Sequence, residues 1–233
     1  MSRWPIRVAG TFLVVAIILY STWVLAPLLG SRLDPFDSYV SELAAHGEPT
    51  ALVARIGDTL CALALIVVGA LGLRRGRKAN LTGREATFKG TARLGYWMLW
   101  GGLVVVGLVT LIDIGMPMDC AVSLPACRAH LDAVGPTYIH QIHEVSSVSI
   151  WVLWLVAQCG GLLLTRTYLG KRRYPVIAKI ALPLTVLCAL YGPIAWWADA
   201  TFTVPGLWQR IYLFFLVVWC AGLAADLVRA RRF

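Results

Sequence analysis

His140, His143 and Glu144 open an apolar stretch with the residue types and spacing from which catalytic and metal centres are built. At about 100° per residue, His140, His143, Glu144, Ser147, Trp151, Trp154 and Gln158 share a stripe roughly 100° wide, opposite Ile142, Val145, Val152, Leu153 and Val156. Polar groups facing lipid cost on the order of 2.5–3.5 kcal/mol for a central charge, so the stripe is expected to face the interior of a bundle. With Asp119 or Asp113, the set His140, His143 and Glu144 suits a divalent metal such as zinc; the histidines and one acid would hold it or act as general base. Hydrogen-bonded structure at a helix entrance is the alternative for the same residues.

Two further chemistries are open to the polar residues. Ser41 or Ser38, activated by a histidine and a carboxylate such as Glu42, would give acyl transfer, although no G-x-S-x-G elbow occurs. Asp58 lies with Arg55 and Thr59 on one helical face, either as an i,i+3 ion pair with Arg55 or as a proton acceptor and partner for the histidines. Arg128 or Arg210 would hold an anionic headgroup. Trp151 and Trp197 would wall the pocket, unless the tryptophans are interface anchors. Nucleotide, dithiol and c-type haem signatures are absent.

These residues need elements that fix them. The chain has 233 residues, 59% hydrophobic and 14% charged, with mean hydropathy +0.73, which excludes an ordinary soluble domain. Stretches long enough to span a bilayer lie near 8–29, 51–73, 94–115, 144–165, 176–197 and 208–228. The expected fold is therefore all-α: one polytopic domain of six transmembrane helices. All but four of the 21 basic residues, the exceptions being Arg32, Arg55, Arg128 and Arg210, fall in the N-terminus, the 74–93 and 166–179 segments and the tail. Lysine and arginine resist translocation, so both termini are expected in the cytoplasm of a bacterium and the long loops outside the plasma membrane. Of 12 acids, only Glu85 and Asp226 lie toward the cytoplasm, and all four histidines lie on the outer side. The net charge of +9 is thus an asymmetry across a lipid bilayer, which argues against a nucleic-acid partner. Cys120 and Cys127 share the long outer loop, where a disulfide or a pair of thiolate ligands would form, and the disulfide is favoured in that compartment.

The run Pro35-Phe36-Asp37-Ser38-Tyr39-Val40-Ser41-Glu42-Leu43-Ala44-Ala45, then Gly47, Pro49 and Gly57-Asp58, resembles the bacterial membrane family labelled domain of unknown function 998. That family tends to carry Ser-Glu-Leu before the second span, an acidic turn after the third, here Pro117-Met118-Asp119-Cys120, and a histidine opening the fourth, here His143. The resemblance implies architecture and no activity. A looser similarity to seven-helix ceramidase and adiponectin-receptor hydrolases keeps lipid amide or ester hydrolysis in view. Six spans and the lack of a histidine pair on a final helix set this chain apart from them.

The residues together favour an outer-face, metal-dependent hydrolase or transferase acting on a lipid or lipid-linked substrate. Asp58, Asp119, His143, Glu144, Ser41 and Glu42 are its expected catalytic groups. The rivals are an accessory or binding subunit of a membrane complex and, behind it, a proton-coupled carrier. The charge asymmetry makes one prediction directly. A green fluorescent reporter fused to the C-terminus should fluoresce and alkaline phosphatase fused there should be inactive, with the reverse for fusions in the 116–137 loop.

Overall fold

A computed structural model describes residues 4–82, 90–201 and 203–229, and within them the side chains of 7–75, 90–201 and 203–229. Arg3, Arg84, Glu85, Lys89, Arg231 and Arg232, which contribute to the expected charge asymmetry, lie outside the described residues. The order is α1 (Trp4–Tyr20), a 3-10 segment Ser21–Leu29, a 3-10 turn Val40–Ala44, α2 (Ala51–Thr82), α3 (Gly90–Gly115), α4 (Pro125–Val134), α5 (Tyr138–Thr165), α6 (Tyr168–Arg173), α7 (Pro175–Thr201) and α8 (Pro205–Arg229). No strand occurs among the described residues. Among the described residues, six helices are long and apolar enough to cross a membrane: Arg7–Leu29, Ala51–Arg75, Gly90–Gly115, Tyr138–Thr165, Pro175–Thr201 and Pro205–Arg229.

The expected windows therefore reappear, most of them lengthened at their ends. The fourth differs most, because α5 starts six residues before the apolar window. Thr137 caps it, its hydroxyl accepting the His140 amide at 3.3 Å. Its first two turns are polar and held by tertiary contacts, so an apolar window underestimates them. Near its end the first span tightens from α into 3-10 geometry, where Ser21 and Thr22 hydroxyls bond the Ile17 and Leu19 carbonyls. Gly30, at φ 84°, then turns the chain out of the helix.

The helices form a closed ring: α1 packs on α2, α2 on α3, α3 on α5, α5 on α7, α7 on α8, and α8 returns to α1. Trp100, Leu103, Trp219 and Leu223 are among its fully buried side chains. The most extensive seam joins α3 and α5. A Cβ on Gly95 would lie 2.7 Å from the Gly160 carbonyl oxygen, one on Gly102 would lie 3.0 Å from the Ala157 Cβ, and one on Gly160 would strike the Leu99 backbone nitrogen. Without a hydrophobic drive between helices in lipid, small residues permit the close packing that holds them. At the end of the bundle that carries α6, Asp226 of α8 accepts the Val176 and Ile177 amides at 2.9–3.1 Å, satisfying the orphan donors that open α7.

The α3–α5 seam leaves no room for a methyl group. Gly160→Ala should cost roughly 1–3 kcal/mol by overpacking and lower the midpoint of thermal aggregation in detergent by several degrees. Gly101→Ala is the control, since a Cβ there meets no atom within 4 Å.

Candidate functional site

The polar groups converge at the opposite end of the bundle, where two loops fold over the helix ends. Glu42 is fully buried although it is ionisable. One carboxylate oxygen accepts the Tyr39 amide at 2.8 Å, and the other accepts the amide and hydroxyl of Ser123 at 2.9 and 2.6 Å. The Ser-Glu-Leu motif thus caps its own 3-10 turn and pins the first loop to the second. Cys120 and Cys127 close the second loop as a disulfide, resolving the choice between disulfide and thiolate ligands. Arg210 adds a third tie, its Nη1 donating to the carbonyls of Pro35, Ser38 and Gly206 at 2.6–3.0 Å, while its guanidinium lies 5.6 Å from the centre of the Trp23 ring. Tyr39 completes the clasp by donating its hydroxyl to Asp199 at 2.5 Å; burial and then this bond raise the phenol's pKa.

Beneath the loops lie two histidine–carboxylate pairs. Buried His140 has Asp119 on one side, with the Asp119 amide 3.3 Å and its carboxylate 3.4 Å from Nδ1, and Glu144 on the other, 3.6 Å from Nε2. Burial alone would raise the Asp119 pKa, but the Thr137 hydroxyl and amide, at 2.6 and 2.9 Å, and then His140 pull it below the usual carboxylate value. The second pair joins α3 to α5. Asp113 Oδ1 accepts the hydroxyls of Ser146 and Ser147 at 2.5 and 2.9 Å and lies 3.4 Å from His143 Nδ1. His143 Nε2 is 3.5 Å from Ser147 Oγ.

This division separates the members of the expected metal set. Asp119 and Glu144 address opposite nitrogens of His140, so one ion on either nitrogen would meet only one of them, and His143 turns its Nδ1 to Asp113 instead. Among the described residues no three His, Cys, Asp or Glu side chains gather to hold an ion. The expected Arg55–Asp58 pair is absent too: Arg55 Nε reaches the Ala44 carbonyl at 2.9 Å, because the 3-10 turn offers an acceptor at the helix's outer flank. Asp58 instead lines a cleft with Tyr20 and Trp23.

The remaining expected site residues are spread around these centres. Ser38 is buried and bonds Ser123 Oγ at 2.7 Å, and among the described residues neither it nor Ser41 hydrogen-bonds a histidine. Arg128 is exposed on α4, with Nη2 3.3 Å from the Ser123 carbonyl. Trp151 packs on Gly192 and donates Nε1 to the Cys188 carbonyl at 3.0 Å; Trp197 is half exposed. The polar partners that individual spans did not disclose are Ser123 and Gln209, whose Oε1 accepts the Val40 amide at 2.5 Å. Ser147 and Asp113 carried a signal, one by sharing the His143 face four residues on, the other by sitting two residues from the end of its span.

Fold and site define an integral membrane protein of six spans whose ionisable groups collect under two clasped loops at one end. The chain belongs to the family described as protein of unknown function (DUF998), whose model matches residues 13–226. No curated protein and no solved structure matches it.

Glu42 carries the sharpest structural prediction. Glu42→Ala leaves the Tyr39 and Ser123 amides unpaired at a buried site, a loss of about 1–3 kcal/mol for each such group. The variant should melt earlier, and its Cys120–Cys127 disulfide should yield to a mild reductant faster than wild type, as followed by maleimide labelling. Glu42→Gln, which keeps one acceptor oxygen, should fall between.

Proposed function

We propose that this protein is an outer-face hydrolase or transferase of the bacterial plasma membrane that transfers an acyl group from a lipid or lipid-linked substrate through Ser147. The observation that supports this is the order Asp113–His143–Ser147. A carboxylate stands at Nδ1 of the imidazole and a hydroxyl at Nε2, the arrangement in which a histidine serves as base toward serine. In the resting arrangement the Ser147 proton points to Asp113, and a turn of the hydroxyl redirects it to His143 without moving the oxygen. The 3.5 Å separation is of the length that tightens when substrate binds.

The step is ordinary acyl transfer. Ser147 Oγ bonds to the acyl carbon while its proton passes to His143 Nε2, and Asp113 holds the resulting imidazolium. The tetrahedral adduct then expels an alcohol or amine, which takes that proton. Water or an acceptor hydroxyl releases the acyl group from Ser147 by the same exchange, proton for proton.

Depth favours a lipid. Asp113 lies two residues, about 3 Å, from the end of α3, and Ser147 lies nine residues, about 14 Å, into α5, which begins beyond it. A helix of 26 residues is about 39 Å long, and the hydrocarbon core is about 30 Å thick. The array therefore sits near the boundary of chains and headgroups, where the carbonyl carbons of acyl lipids are found. The side assignment rests on the lysine and arginine distribution alone.

A fluorophosphonate probe tests the reading on purified protein in detergent. Ser147 should be labelled, Ser147→Ala should remove the label, and His143→Ala should slow labelling about 10²–10⁴-fold. Undiminished labelling of folded Ser147→Ala, or none in folded wild type, would overturn acyl transfer and return the site to the accessory-subunit reading.

A further inference from the structure

A second polar feature lies apart from the Ser147 array. Between the 3-10 segment Ser21–Leu29, the Val40–Ala44 turn and α2 runs an open cleft at the surface of the bundle. Its walls are largely apolar, with Trp23, Leu29, Leu43 and Val53 among them, and Tyr20 and Asp58 also line it. Leu29 and Val53 are partly exposed, so this edge opens sideways to the lipid-facing surface of the bundle. The hydroxyls of Thr22 and Thr50 in the same lining are already bonded to the Leu19 and Leu43 carbonyls.

Asp58 and the Trp23 indole N–H, which is buried without a partner among the described residues, are the groups left over. Among the described residues the Asp58 carboxylate makes no hydrogen bond and no ion pair, and the titratable groups that act on or respond to it, Asp113, Tyr20 and Cys61, bring no positive charge. Arg55, three residues earlier on α2, is engaged on the Ala44 carbonyl, and Arg210 on the carbonyls of Pro35, Ser38 and Gly206. An unpaired carboxylate within a spanning segment is costly and marks a functional position by default. With no partner for it among the described residues, the carboxylate is left for a group from outside the chain.

We propose that this cleft binds a protonated primary amine carried on an apolar chain, the ammonium on Asp58 and the chain along Leu29, Leu43 and Val53 toward the lipid. An ammonium suits the walls better than a bare metal ion. It presents donors to one carboxylate, whereas a hard cation seeks about six oxygen ligands, which an apolar lining with a single acid does not offer. The apolar edge accounts for the chain, since a small free amine would gain nothing from it. Nothing in this inference uses Ser147 or His143, so it and the acyl-transfer reading stand or fall separately.

The test compares octylamine with octanol, equal in chain length, as ligands that raise the melting midpoint of the detergent-solubilised full chain. Octylamine should half-saturate wild type at a concentration at least ten-fold below octanol. Asp58→Asn should erase that difference, and Asp119→Asn, whose side chain is not part of the cleft lining, should preserve it. Should Asp58→Asn fail to fold, Val53→Trp fills the cleft from α2 and should weaken octylamine by a similar factor. Equal binding of amine and alcohol, or an amine preference that survives both Asp58→Asn and Val53→Trp, overturns the proposal. So does the absence of any stabilisation of wild type by octylamine. Native mass spectrometry then identifies the source: phosphatidylethanolamine retained over phosphatidylcholine by wild type and not by the variant assigns the site to a lipid headgroup. Amine selectivity without retained phosphatidylethanolamine assigns it to a free amphiphilic amine.

Discussion

The contact between Asp113 and α5 depends on how closely two helix backbones can approach. Gly95, Gly102, Ala157 and Gly160 remove the side chains that would hold α3 and α5 apart, and the carboxylate near the end of α3 then reaches His143, Ser146 and Ser147 across the seam. Larger residues along the seam would widen it throughout, because packed helices do not yield at one point alone. The site is thus a consequence of what is missing from the middle of the bundle as much as of what is present at its end. The same two helices carry the polar groups and the glycines, so packing and chemistry share one register.

Above that seam, the loops are fixed by buried polar bonds rather than by apolar packing alone. Glu42, Arg210 and Tyr39 each join segments far apart in sequence, and the disulfide shortens the second loop between them. A buried carboxylate accepting three hydrogen bonds is retained at low cost, whereas the same carboxylate with a bond missing would be a liability. Glu42 therefore works as a clasp, although its residue type alone equally suggests catalysis. Arg210 is similar: the cation expected to meet a headgroup is held on three backbone carbonyls.

The two remaining acids near the bundle interior differ in one respect that gives them different meanings. Asp113 is surrounded by donors from α5 and is poised to orient an imidazole. Asp58 faces a cleft without a donor of its own among the described residues. One acid is thus completed by the fold, and the other has no bonded partner among the described residues.

Six spans, their approximate limits and the polar stripe on the fourth were legible in the sequence, because in lipid the length and apolarity of a helix are local properties dictated by the solvent. The pairing of Cys120 with Cys127 was legible for a related reason: two cysteines on one short loop have few other partners. The roles of the polar residues were not. His140, His143, Glu144 and Asp119 fit a metal site on one helical wheel and an adjoining loop, yet the structure divides them between Asp119–His140–Glu144 and Asp113–His143–Ser147. Arg55 and Asp58, three residues apart, suggest an ion pair until a loop carbonyl eleven positions upstream draws Arg55 away. The sequence by itself determined which segments cross the bilayer and which of their faces are polar. Only the tertiary structure decided which polar group meets which, because hydrogen bonds are short and directional and their partners come from helices whose approach is set by packing, not by order along the chain.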